Sequence, residues 1–225
     1  MNETTSTSSA GAPGIPGLTE FMFDRLIVPR REAPTVSLTP GGHLCLNVDR
    51  ELLVRVDDVL VRDESLTIEP MSGRGPGGNE SLTGLSRVTG GGALVLSRGD
   101  GSFQPLHLRD DACFLLASAV WAFEGALLWE GGVLPGTRGP VDTQRGTIPL
   151  LRLKGSGLLV VRSSGPCVSI KVASRSPTRV RARGLLGWVG GVIPVFEPGG
   201  GFIRCEGEGA LLLDLATSRS GTGPG

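Results

Sequence analysis

A glycine, one spacer, a second glycine and then a run of aliphatic residues: this pattern, met twice at a spacing of 65 residues, constrains the chain more than any other feature. It reads Gly90-Gly-Gly92-Ala-Leu-Val-Leu in one place and Gly155-Ser-Gly157-Leu-Leu-Val-Val in the other. Apolar runs this short, bounded by glycine and rich in valine, predict buried strands. The 36 glycines among 225 residues are well above the roughly 7% of an average protein, and they separate the apolar runs instead of clustering. Many tight turns between short strands follow from that spacing. The expected fold class is all-β, and the chain is long enough for one large core or two small ones.

The similarity extends beyond the glycines. At the same shift Leu94-Val95-Leu96 meets Leu159-Val160-Val161. One residue then drops out, so Leu106 and Leu108 meet Ile170 and Val172. Two or three are gained, and Trp121 meets Trp188, which lies in Gly187-Trp-Val-Gly190. At a shift near 53, Asp57-Asp58 meets Asp110-Asp111. Three related β units are predicted, at about residues 21–70, 86–132 and 147–216, between disordered tails at 1–20 and 217–225. Stacked antiparallel sheets, in which each unit covers its neighbour's apolar face, satisfy this pattern.

Along the chain, a leading strand is expected around Leu26 to Val28. His43 to Val48 alternates as a half-buried strand. Leu52–Val56 and Val59–Arg62 read as two strands joined at Asp57-Asp58. Residues 70–89, rich in Gly, Ser and Pro, read as a loop and an internal boundary. Gly99-Asp100-Gly101 predicts a hairpin turn between strands at 93–97 and 103–108, and Pro105 places the second at an edge or bulge. The 18 residues from Ala112 to Trp129 approach the length of a membrane span, but Glu124 and Gly125 interrupt them and no basic anchors flank them. Consecutive core strands broken near Ser118 and Glu124-Gly125 are the preferred reading. Asp110-Asp111 reads as turn punctuation. After a loop at 133–146, one strand is expected to end at Gly155-Ser-Gly157 and another to begin there. Cys167 to Ser174 alternates as a strand, and Phe202 to Ala216 reads as a final strand pair.

The composition excludes several function classes. Twenty-two basic and 22 acidic side chains cancel, which argues against bulk electrostatic binding to nucleic acid or membrane. With no tyrosine and few other aromatics, no broad base-stacking platform is expected. Cys45, Cys113, Cys167 and Cys205 lack CxxC spacing and read as reduced thiols of a cytoplasmic protein. His43 and His107 are too few for a metal cluster, so neither metal nor cofactor is expected. Glu206 and Glu208 share a strand face, yet a solvated face accounts for them better than acid–base work. The sharpest polar feature is Arg-Val-Arg-Ala-Arg, which on a strand sends Arg179, Arg181 and Arg183 to one side, a candidate site for phosphate, RNA backbone or another anion.

The ordered motifs Gly90 to Asp111, Ala122 to Gly131, Leu153 to Val161, Gly187 to Gly190 and Cys205 to Gly209 resemble the altered inheritance of mitochondria protein 24 family (mitochondrial biogenesis family), over about residues 20 to 216. The resemblance implies a fold similar to the tryptophan RNA-binding attenuator protein, with stacked sheets in a double-stranded β-helix. It carries over no catalytic residue. Its eukaryotic members are linked to mitochondrial inner-membrane organisation; without a presequence, a bacterial cytosolic member is the expectation. The predicted function is therefore a non-enzymatic β-structured scaffold or interaction protein that forms a homo-oligomer and has no transmembrane segment. The alternative is RNA or anion binding through the arginine face. A third reading is a hydrolase or isomerase built on Glu206, Glu208 or Asp214.

Overall fold

A computed structural model describes residues 18–23, 34–71, 84–134, 148–197 and 201–216. The expected strand at Leu26 to Val28 and most of the loops at 70–89 and 133–146 lie outside them. A six-residue helix, α1 (Leu18–Phe23), stands where the N-terminal tail was expected to end. Among the described residues fifteen strands follow. β1 (Val36–Leu38), β2 (Leu44–Val48), β3 (Leu52–Arg55), β4 (Val59–Arg62) and β5 (Thr67–Pro70) come first. Next are β6 (Leu85–Thr89), β7 (Gly92–Leu96), β8 (Ser102–Leu116), β9 (Val120–Glu124) and β10 (Leu128–Val133). The last five are β11 (Pro149–Ser163), β12 (Cys167–Val172), β13 (Thr178–Arg181), β14 (Leu185–Phe196) and β15 (Phe202–Asp214). The chain is thus all-β, with stacked antiparallel sheets. Among the described residues no helix is long and apolar enough to cross a membrane.

The strands form two sheets. A four-stranded sheet runs β1-β2-β7-β4, and an eleven-stranded one runs β12-β15-β14-β8-β11-β9-β3-β6-β5, with β10 on β11 and β13 on β15. Among the described residues three hydrophobic cores lie between and within these layers. The first packs Leu44, Leu46, Leu94 and Leu96 of the small sheet on Leu52, Val54 and Val88 of the large one. The second gathers Leu53, Phe123, Leu151, Leu153 and Leu159, and the third Leu134, Val172, Trp188, Ile203 and Leu211. β11 shows why the stack holds together. Its side chains alternate between faces, so Leu158 and Val160 enter the first core while Leu159 and Val161 enter the second. Both faces being covered, the strand is apolar at successive positions.

Several expected turns prove to be something else. Asp57-Asp58 and Gly99-Asp100-Gly101 do turn the chain, yet neither makes a hairpin. β3 pairs with β6 and β9 while β4 pairs with β7, and β7 pairs with β2 and β4 while β8 pairs with β11. β7 is buried at every position from Ala93 to Leu96. It needs a neighbour on each edge and cover on each face, so the chain crosses between sheets at its ends. Asp110-Asp111 and Gly155-Ser-Gly157 are not turns either. They oppose each other inside two continuous 15-residue strands, where the ladder slips between Gly155 and Ser156. The slip is a β-bulge, which bends a strand without ending it. Gly155 takes a φ of 124°, and Gly90 takes 112°.

Two further strands differ from expectation. Leu85–Thr89 is strand β6 rather than part of a loop, because Leu85, Ser86 and Val88 are buried against β3. Phe202–Asp214 is one strand, not two: Gly207 (φ 92°) is absorbed within the ladder to β14. The breaks near Ser118 and Glu124-Gly125 are found as expected, the first as a 3₁₀ turn at Ala117–Ala119. A matching 3₁₀ turn at Ala182–Gly184 lies 65 residues on. That shift brings Trp121 opposite Leu186, so the two tryptophans occupy neighbouring rather than identical positions after the turn. Pro105 pairs with Val160 of β11, and no ladder runs along its other side among the described residues.

Candidate functional site

β13 ends at Arg181, and Arg183 falls in the 3₁₀ turn. The alternation that sends arginines to one side therefore holds for Arg179 and Arg181 only. Both are exposed. Arg179 Nε donates to Glu197 Oε1 at 3.0 Å, and the Arg181 guanidinium lies 5.4 Å from the Phe202 ring centroid. Across the ladder Arg179 faces Arg204, which pairs in turn with Glu206.

The same sheet face carries a feature that charge-spotting passes over. On β14, Val189, Ile193 and Val195 are 44%, 61% and 46% exposed, while Trp188, Val192 and Pro194 on the opposite face are buried. Outward side chains at every second position form one apolar stripe. In register beside it, β15 presents Arg204 next to Val195, Glu206 next to Ile193, Glu208 next to Gly191 and Ala210 next to Val189. The rim is thus basic at one end, where Arg179 and Arg181 add to Arg204, acidic along its middle at Glu206 and Glu208, and carries Lys171 of β12 beside Ala210 at the other end. The glycines and the proline of Val-Gly-Gly-Val-Ile-Pro-Val hide this period-two pattern in the sequence.

Beyond Val189, β14 leaves β8, because the ladder between them covers only Gly187 to Val189. Its continuation forms one wall of a cleft of about 320 Å³. The floor is a row of four residues in register across four strands: Trp188, Phe114, Arg152 and Glu130. Phe114 and Trp188 stack with centroids 5.2 Å apart and planes 9° from parallel. The Arg152 guanidinium lies 5.8 Å from the Phe114 centroid, and its Nη1 donates to Glu130 Oε2 at 3.0 Å. Leu150 and Gly132 form the next row. No sequence reading finds this row, since its members come from 114 to 188 and meet only through cross-strand register.

The remaining candidates are structural. Trp121 packs against Phe103 and under Arg162, and it braces the junction between the sheets. Gly92 and Gly157 leave room for carboxylates, those of Asp63 and Glu124 respectively. Gly187 and Gly190 abut the backbone of β8 and β15. His43, whose Nδ1 accepts from the Arg98 N–H at 3.3 Å, is in the small-sheet region, and His107 is exposed on β8 in the large sheet. No group of three or more metal-ligating side chains occurs among the described residues. Cys113 and Cys205 are buried, and burial pushes both thiols up to about 11. Glu206 is tied to Arg204, and Asp214 accepts from the N–H groups of Ser164 and Ala216, closing a turn.

The fold is shared with a protein of known crystal structure. The chain is similar to protein SPYM3_0169 from Streptococcus pyogenes, with a TM-score of 0.62 and 13% identity, covering 80% of this chain and 91% of that one. At such low identity the likeness is one of fold alone. No protein-family model and no curated protein matches the sequence.

Proposed function

We propose that the protein is a non-enzymatic β scaffold that self-associates through the outer face of β14 and β15. The carrying observation is the stripe of Val189, Ile193 and Val195, held in water while Trp188 and Val192 of the opposite face are buried. A second copy is the occupant that the charges favour. Packing two such faces antiparallel about a two-fold axis near Glu206 brings Arg204 of each copy towards Glu208 of the other, and a two-fold interface must be self-complementary in this way. Pro194 has no N–H to offer a neighbouring strand, so it guards the free edge of β14 and favours packing by face over strand addition. The resemblance of the ordered motifs to the altered inheritance of mitochondria protein 24 family supports a scaffold, because that resemblance brings no catalytic residue with it.

Light scattering coupled to size exclusion, over about 1–200 μM, tests this; three aliphatic side chains suit an association in about the micromolar range. A concentration-dependent dimer is expected, and Val195→Glu should leave a folded monomer. Arg204→Glu should weaken the dimer, and adding Glu208→Arg in the same chain should restore it. A wild-type monomer throughout the range would overturn the reading.

A further inference from the structure

We propose that the cleft between β10 and β14 is a binding site for a small molecule with a flat apolar body and a single anionic group. Its floor and walls supply what such a ligand needs. Phe114 and Trp188 present a stacked, nearly parallel aromatic pair, and Leu150, Val133, Val192 and Pro194 surround it with aliphatic surface. Ligand clefts combine such surface with a few placed polar groups. Here the polar group is Arg152, held at one side of the floor. Its Nε is enclosed and has no hydrogen-bond partner among the described residues. Its ion pair with Glu130 joins side chains 43% and 62% exposed, so water screens it and an incoming anion can replace it.

Gly132 strengthens the assignment. It sits in the row beside Arg152 and lines the cleft, and a Cβ built there meets no atom of the described residues within 4 Å. A side chain added at this position would crowd the cleft. The arrangement also sets the specificity. A neutral flat molecule gains the apolar surface but not the charge-assisted hydrogen bonds of the guanidinium, which are about twice as strong as neutral ones. A cation gains only Glu130, which lies at the exposed rim. The site is separate from the outward stripe of β14, although Ile193 borders both.

Fluorescence titration with anilinonaphthalene sulfonate and its uncharged counterpart phenylnaphthylamine tests the proposal on the full chain. The two share one apolar body and differ in the sulfonate. Saturable binding of the sulfonate is expected, with the neutral probe about tenfold weaker. Arg152→Gln should bring the two probes to equal affinity, and Gly132→Leu should weaken both. Val195→Glu, which breaks the self-association face, should leave both unchanged, so the two readings fail separately. Near-UV circular dichroism confirms that each variant keeps its tertiary packing; Arg152→Gln, at a half-exposed position, keeps the test open should the glycine variant misfold. The proposal is overturned by equal affinity of both probes for the wild type, by absence of saturable binding, or by loss of binding in Val195→Glu with none in Gly132→Leu.

Discussion

The Arg162 guanidinium lies 4.3 Å from the Trp121 ring centroid, and on its far side it reaches Asp58. Arg162 belongs to β11, Trp121 to β9, and Asp58 to the turn that carries the chain from the large sheet to the small one. Nη1 donates to Asp58 Oδ2 at 3.0 Å, and Nη2 donates to the carbonyl of Arg98 in the crossing turn between β7 and β8. One side chain thus clips two of the crossings to the central strands. A second arginine, Arg55, approaches the same ring at 5.7 Å and donates to the carbonyls of Val120 and Ala117. Burial lowers its pKa from the ordinary arginine value, the charge of Asp57 opposing the change.

Arg162→Ala is expected to destabilise the fold by about 2–3 kcal/mol, combining the stacking over Trp121 with hydrogen bonds to a charged partner. Arg162→Lys should recover little, because an ammonium cannot lie flat on the ring while reaching both turns. Urea denaturation measures this. A double-mutant cycle with Asp58→Asn should give a coupling energy of about 1 kcal/mol or more.

Asp110 is the one non-glycine residue with a positive φ (61°) among those described, and its N–H donates to Ser156 Oγ at 2.8 Å. Asp tolerates this conformation better than branched residues do. Asp110→Gly should therefore be neutral or stabilise by up to about 1 kcal/mol, whereas Asp110→Val should cost about 2 kcal/mol. Thermal unfolding of the pair distinguishes a bulge that needs this conformation from one that merely contains it.

Strand content was legible because it is written in local patterns. Leu44, Leu46 and Val48 alternate with Cys45 and Asn47, and the structure buries the first set. Connectivity was not, because a turn residue signals a reversal without naming the sheet that receives the chain. Gly99-Asp100-Gly101 looks the same whether the next strand pairs with the last or crosses to another layer. Glycine pairs were ambiguous for a similar reason. Gly155-Ser-Gly157 supplies the positive φ of a bulge, and a turn would ask for the same residues. The arginine face was legible through Arg181 and failed at Arg183, where a one-turn 3₁₀ segment interrupts the alternation. The cleft had no local signature at all: Phe114, Arg152 and Trp188 are neighbours only through ladder register.

The glycines crowded by backbone should be far less replaceable than those crowded by side chains. A Cβ on Gly209 would overlap the Val189 carbonyl oxygen and come within 2.8 Å of Val192 Cγ2. A Cβ on Gly157 would meet the Glu124 carboxylate at 2.8 Å, the movable end of a side chain. Gly209→Ala is expected to cost about 3 kcal/mol or more, by forcing β14 and β15 apart, and Gly157→Ala about 1 kcal/mol. Chemical denaturation of the two variants side by side gives the ranking; equal costs would mean that the β14–β15 ladder yields more easily than its register implies.

Cys113 and Cys205 give the fold an alkaline limit. Burial holds both thiols protonated to about pH 11, whereas in the unfolded chain they ionise near the ordinary value of about 8.5. Between those values the unfolded state binds fewer protons than the folded one, so stability falls as pH rises. Their contribution is fully present below about pH 8 and is lost progressively up to about 11, with a limiting slope of about 2.7 kcal/mol per pH unit for the two together. Urea midpoints measured from pH 7 to 10 should decline accordingly, and a Cys113→Ala/Cys205→Ala chain, though less stable at neutral pH, should lose most of that dependence. In the native wild type at pH 8, a thiol-specific reagent should leave these two unmodified while Cys45 and Cys167, both half-buried, react, and all four should react in denaturant.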